Sequence, residues 1–485
     1  MHFPWWYVPF ATAPMLIAVV SIIHVLVSHY AVGGGLFLAV ETAHAYRSGN
    51  RDYLAYLKRH ARFFVLLTVV FGAVTGVGIW WTIGLASPLA TRVLLNTFVF
   101  AWATEWVFFI LEIVSAFVFY YYWDRLPPAV HVAVLCIYAF AGWASLVIIS
   151  AITAFMLDPG LWLKEPTFWN AITNPQAIPQ IIARTGGALL LSSLYVYLHS
   201  AVAIRDSNLQ ALIEKRSTRP ALLGAVLIAA GGGLWYTFLP NSAQAALIAA
   251  PVLNVIMGVL FGATAIVFVL LYLGPYRNPG WIYSPGFAAA LLLFGFIGFS
   301  ASEFIREAVR KPYIIYNYIL GNQVVIRPSE IDALHESGLL DNSIWPYAYV
   351  KTTNPQCIRD GEIDLDALDQ LPLKDKRRLG GVLFQYHCND CHALEQGYSP
   401  VGPLVQGWTD DMIRDLVLHL DKHRFTMPPW CGTKEEAELL VQYLRAIAPE
   451  RPQGMAPGSE KQHIDSSGGG PDDSSPGPGG SPMGD

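Results

Sequence analysis

The sequence predicts an all-α protein in two parts: a polytopic transmembrane helical bundle of about eight spans, then a small water-soluble helical domain. Three observations carry this. The chain is 54% hydrophobic and only 14% charged, with mean hydropathy +0.40, beyond the apolar content of an ordinary soluble domain. Its apolar residues gather into stretches long enough to cross a bilayer. Its charges are sparse up to about residue 300 and dense afterwards, so a membrane part precedes a soluble one. A formal net charge of −5 argues against nucleic acid as a partner.

The first residues carry no basic segment and do not read as a cleavable signal peptide. Trp5, Trp6 and Tyr7 suit an interfacial anchor instead. Apolar stretches follow at about 14–46, 61–86, 96–123, 129–157, 180–204, 220–240, 246–273 and 282–307. In lipid each must be helical, because no water is there to satisfy the backbone. Glycine clusters such as Gly33-Gly34-Gly35 and Gly231-Gly232-Gly233 allow close approach of a helix or cofactor. Basic residues fall in alternate loops: Arg47, Arg51, Lys58, Arg59 and Arg62; then Arg125; then Arg205, Lys215, Arg216 and Arg219; then Arg277. The other loops hold scattered cations such as Arg92 and Lys164. The positive-inside rule therefore places the N-terminus outside, and an even number of spans returns the C-terminus outside.

Domain boundaries follow from composition. Residues 1–307 form the bundle, 308–375 a polar linker and docking region, 376–449 a small helical domain, and 450–485 a Gly/Pro/Ser/Asp tail expected to be disordered. In the helical domain, 376–386 reads as a helix leading into the stretch Cys388-Asn389-Asp390-Cys391-His392, and 434–447 as an amphipathic closing helix. Gly380 and Gly381 leave room for Tyr443 to approach.

Cys388-Asn389-Asp390-Cys391-His392 is the C-x-x-C-H pattern of covalent haem attachment. Two thiols at this spacing each form a thioether to one porphyrin edge, and the next histidine supplies an axial nitrogen. Met427, in Thr426-Met427-Pro428-Pro429-Trp430, is the candidate opposite ligand. The competing readings are a zinc or redox C-x-x-C pair and a core methionine. Of the other cysteines, Cys136 lies in an apolar run and reads as an inert buried thiol, while Cys357 and Cys431 flank the motif. A disulfide between those two requires an oxidising compartment.

The soluble part resembles class I cytochrome c through the haem motif, the Met-Pro-Pro-Trp segment and the closing helix. The resemblance implies one covalent haem c on Cys388 and Cys391, with His392 and Met427 on the iron. The membrane part, over roughly 14–320, resembles subunit I of the cytochrome bd quinol oxidases. Three pieces carry this: Ile22-Ile23-His24-Val25-Leu26-Val27; Phe108-Phe109-Ile110-Leu111-Glu112 with Trp123-Asp124-Arg125-Leu126; and Glu307-Ala308-Val309-Arg310-Lys311-Pro312-Tyr313. It implies membrane haem at His24 and Glu307, one or more haems of b type with haem d also admitted, a second membrane subunit, and residence in the bacterial cytoplasmic membrane. The N-terminus and the cytochrome c domain then face the periplasm. The sequence also departs from that family. No histidine follows Asn174-Pro175 where Ile182-Ala183-Arg184 stand, so Met257, matching a methionine ligand, lacks its partner. The long quinol-binding loop between the sixth and seventh spans is replaced by a few residues near Asn241-Ser242-Ala243-Gln244. Quinol as a partner is therefore in question, and a periplasmic cytochrome c or other redox protein becomes the expected donor or acceptor.

Ionisable residues inside spans mark sites by default. His24 and His29 share the first span, and five residues of helix turn them in different directions. Either, or His199, ligates a haem or is a hydrogen-bonded core histidine. Glu105 and Glu112, two turns apart, either pass protons or hold helices together. Arg310 is placed to neutralise Glu307 or a haem propionate. Two functions follow: a bd-like terminal oxidase subunit with a fused cytochrome c as electron port, or an electron relay that does not reduce oxygen. A structural subunit is third.

Overall fold

The computed structural model of the chain describes residues 8–448 apart from 9, 279, 395 and 425. The expected anchor at Trp5–Tyr7 and the tail after 449 lie outside the described residues. Among those described, eight helices are long and apolar enough to cross a membrane. In order they are Ala13–Ser48, Arg51–Ala86, Val99–Tyr121, Pro128–Phe155, Ala177–Ala203, Ser207–Thr237, Pro251–Tyr276 and Pro285–Ala308.

Local signals set their ends. Thr12 caps the first span by accepting the Met15 amide, and Gly49 ends it at φ 66° in the left-handed region. The second span starts well before its apolar run, because Asn50 caps it and the first turns bury Tyr53, Tyr56, Leu57 and His60 on one side. The sixth also begins early: the Asp206 carboxylate accepts the Asn208 and Leu209 amides, so the basic stretch before Pro220 is helical. Hydropathy alone misses such entry turns, because they lie outside the apolar window.

Successive helix ends alternate between two faces. The basic face carries the turns at 49–50, 122–127, 204–206 and 277–284. Here Lys58 pairs with Asp124, and Arg216 with Glu41. Glycines set the closest helix contacts. A Cβ on Gly33 would lie 2.0 Å from the Ala188 carbonyl oxygen, and one on Gly186 would lie 2.5 Å from that of Gly224. Cys136, expected to be buried, faces outward instead, since its helix turns its small residues inward.

The chain after the last span covers the opposite face. Ile314, Ile315 and Ile319 share an apolar cluster with Ala90, Phe98, Phe155 and Trp162 from the loops and span ends there. The Gln323 side-chain oxygen accepts the Leu89 and Ala90 amides, each at 3.1 Å. The Tyr398 amide donates to the Phe10 carbonyl at 3.2 Å, so the start of the first span and the C-terminal part meet on this face. Residues 308–375 are not a separate linker. Their Leu320, Leu339, Leu340, Val350 and Ile363 enter one core with Leu379, Leu383, Leu439 and Leu440. These short helices and two-stranded ladders are too small to bury their own apolar side chains.

Candidate functional site

The Cys388–His392 loop follows directly on the helix Leu373–His387, which crosses the closing helix Lys434–Ile447 at Gly380. Turn hydrogen bonds from the Cys391 and His392 amides to the Cys388 carbonyl, at 3.1 and 2.9 Å, fold the loop back on itself. Cys388 and Cys391 are partly buried, unpaired thiols. His392 Nδ1 lies 2.9 Å from the Ser399 carbonyl oxygen. That bond orients the ring and leaves Nε2 as the free nitrogen. Burial holds the His392 pKa below its ordinary value against this same bond, so the imidazole is neutral and its lone pair is available at neutral pH. His387, just before the motif, stands 5.2 Å ring to ring from Trp430, three residues beyond the half-buried Met427. Cys357 and Cys431 are separate buried thiols of the same core, not a disulfide.

A ladder of charges runs from the C-terminal end of the last span to this loop. Glu303 takes Arg184 at 3.2 Å and Arg306 at 2.9 Å. Arg306 lies 4.0 Å from Glu307, and Glu307 pairs with the buried Arg310. The next residue, Lys311, reaches Asp390 between the two cysteines at 3.5 Å. Gly321 makes the close approach: a Cβ there would sit 2.5 Å from an Asp390 carboxylate oxygen. The motif loop is therefore seated on the end of the eighth span. Asp390, Lys311 and the Arg184–Glu303 pair carry no sequence signature, because their partners are far apart in the chain.

Inside the bundle the two first-span histidines face different helices. His24 turns to the second span, with Nδ1 3.1 Å from the Thr75 hydroxyl and its ring against Gly76. His29 turns to the fifth and eighth spans, its ring 4.6 Å from that of Phe299. Its Nδ1 lies 2.8 Å from the Val25 carbonyl oxygen, and its buried Nε2 has no partner. Glu112 accepts the Tyr138 hydroxyl at 2.9 Å, and Glu105 the Ser145 hydroxyl at 2.7 Å. Both carboxylates thus face the fourth span. Met257 packs with Leu253, Leu239, Ile305 and Val309 in an apolar cluster.

Comparison with known proteins bears on part of the chain. Residues 13–235 match the family model of cytochrome bd terminal oxidase subunit I. The bundle is also similar to the structure of bd oxidase from Geobacillus thermodenitrificans, at 18% identity and TM-score 0.52 over 62% of this chain and 87% of that one. No curated protein matches the chain. The bd-type bundle and its membrane setting agree with the expected fold. Nothing in these comparisons extends to the C-x-x-C-H domain.

The bd subunit I family binds haems b and d. His29 fits a ligand's chemistry, since its Nδ1 is bonded to the Val25 carbonyl oxygen and its buried Nε2 has no partner; His24 has its Nδ1 held at the Thr75 hydroxyl. Glu307 fits less simply, because arginines already hold both its oxygens. The position lacking its histidine does not fit a haem. A Cβ on Gly231 would lie 2.5 Å from the Ala183 nitrogen, so the sixth span occupies that space. The ligand pairing implied for Met257 has no counterpart there.

Proposed function

We propose that this chain is a haem-bearing subunit of a membrane respiratory oxidase, with its C-terminal part acting as the electron port. The observation that carries the reading is the seating of the Cys388–His392 loop on Lys311, four residues beyond Glu307. A covalently attached haem c would supply one-electron transfer at that point. Cys388 and Cys391 would hold it by thioethers, and His392 and Met427 would ligate its iron. Lys311 and Asp390 fix the loop against the span that carries Glu307. His24 and Glu307 are the proposed membrane haem ligands, with His29 as a third candidate. Arg310 and Arg306 supply positive charge suited to propionates. Glu105 and Glu112 would carry protons.

Several features support the rest of the reading. Basic loops gather on one face and the C-terminal part covers the other, which suits an N-terminus and soluble domain on the periplasmic side of the bacterial inner membrane. The third span presents Trp106, Val107, Val114 and Phe117 outward, a surface for lipid or a second membrane subunit. The turn between the sixth and seventh spans holds only the short helix Asn241–Ala249. This favours a soluble redox donor over quinol.

A relay without oxygen reduction is the second reading, favoured by the arginines on Glu303 and Glu307. A reduced-minus-oxidised spectrum with added carbon monoxide separates the two. The oxidase reading expects a CO-reactive high-spin haem beside the c band. Its absence leaves the relay. Full haem content in Glu307→Ala removes Glu307 from the ligand set.

A further inference from the structure

At the basic face a pocket of about 520 Å³ is lined by Asp52, Tyr56, Arg59, Arg205 and Asp206 among others. Tyr56 continues inward to two histidines that the proposed haem sites do not use. Its ring centroid lies 5.8 Å from that of His60 and 5.5 Å from that of His199. The two imidazoles meet edge to face at 4.8 Å. His60 is fully buried, and its Nε2 lies 3.1 Å from the Tyr30 hydroxyl. The Nδ1 atoms of both His60 and His199 are buried without a hydrogen-bond partner.

A core histidine bonded to one tyrosine explains Nε2 of His60 but leaves two neighbouring nitrogens unsatisfied. Buried polar atoms normally find partners, and a water between polar groups meets that need. Further inward, Tyr30 and Tyr138 lie against adjacent glycines of the first span. A Cβ on Gly34 would meet Tyr30 at 2.9 Å, and one on Gly35 would meet Tyr138 at 2.4 Å. Tyr138 donates to Glu112. The Phe64 ring touches both tyrosines, at 5.3 Å from Tyr30 and 5.4 Å from Tyr138, so titratable groups follow one another from the basic-face pocket as far as Tyr30, with Tyr138 and Glu112 a separate pair beyond.

We propose that His199, His60 and Tyr30 form a proton-entry relay whose ligand is water drawn from this pocket. A proton reaching Nδ1 of His60 is matched by one leaving Nε2 to the Tyr30 oxygen, whose own hydroxyl proton passes on through water. Each group returns to its starting charge, so nothing is oxidised or reduced along the way. The inference rests on the oxidase reading for what consumes the protons.

The test uses the full chain with its membrane partner in inverted vesicles, with an external pH dye following proton uptake after an oxygen pulse. His60→Gln and His199→Gln keep a polar side chain of similar size but cannot gain and lose a proton on two atoms. Uptake should slow roughly ten-fold or more in either variant, with visible haem spectra unchanged. In His199→Gly, added imidazole should restore the rate. Loss of a haem band in either Gln variant would make these histidines ligands and overturn the relay. Uptake in the unaltered protein that survives both substitutions overturns the relay alone. No uptake in the unaltered protein overturns the relay and the oxidase reading together.

Discussion

Gly380→Ala tests what holds the Cys388–His392 loop in place. A Cβ there would fall 2.0 Å from the Leu439 carbonyl oxygen, 2.7 Å from Tyr443 Cβ and 2.8 Å from the Leu439 carbonyl carbon. Two of these are backbone atoms of the closing helix, which no side-chain rotation can move. The helices must separate by about 1 Å to reach ordinary contact, and a gap of that size forfeits up to about half of each dispersion well along the seam. Leu379, Leu383 and Phe384 on one helix and Leu440, Val441 and Leu444 on the other are all buried in this core. Overpacking typically costs about 1–3 kcal/mol, and an unyielding backbone neighbour puts this case at or above the upper end. For a body of this size roughly 2–4 °C is lost per kcal/mol, so the soluble part should melt about 10 °C lower. Gly381→Ala is the internal control. Its nearest atom is a Tyr443 ring carbon at 3.1 Å, and a ring edge can yield. Calorimetry of the detergent-solubilised chain should show a large drop for Gly380→Ala and a small one for Gly381→Ala. Equal shifts, or no drop for Gly380→Ala, would refute the close-packing argument.

Three further predictions follow from other contacts. Lys311→Met leaves Asp390, whose side chain is 8% exposed, without its cation; the pair is partly open at Lys311, so the loss falls at or below the roughly 3 kcal/mol of a broken buried pair, and limited proteolysis should cut the 311–327 segment faster than in the unaltered chain. Glu436 accepts the Leu339, Leu340 and Thr433 amides, yet burial pushes its pKa from 4.5 up to about 7. A folded pKa above the unfolded one adds stability that is full below about pH 4.5 and lost as pH rises through about 7. Melting temperatures from pH 5 to 8 should therefore fall for the unaltered chain relative to Glu436→Gln, narrowing the roughly 1–3 kcal/mol advantage its hydrogen bonds give it. A gap that does not narrow with pH would show that Glu436 is ionised throughout. The double variant Cys388→Ser/Cys391→Ser should abolish covalently bound haem on a denaturing gel if the motif is a haem c site, and a double variant that still stains would remove that assignment.

Much of this protein was legible in the residues alone. Eight apolar runs imposed eight helices because lipid allows the backbone no other way to satisfy itself. The Cys388–His392 spacing and the glycines facing Tyr443 were readable for the same reason: their chemistry is local or set by helical period. What the sequence could not decide was which neighbour each face would meet. Helix period turned His24 and His29 apart, but only packing gave the second span to one and the fifth and eighth to the other. The merging of 308–375 into the C-terminal core, the outward turn of Cys136, the Lys311–Asp390 bridge and the His60–His199 contact are likewise tertiary. Each joins or separates side chains through contacts far apart in the chain, and no local pattern encodes a partner that only folding brings near.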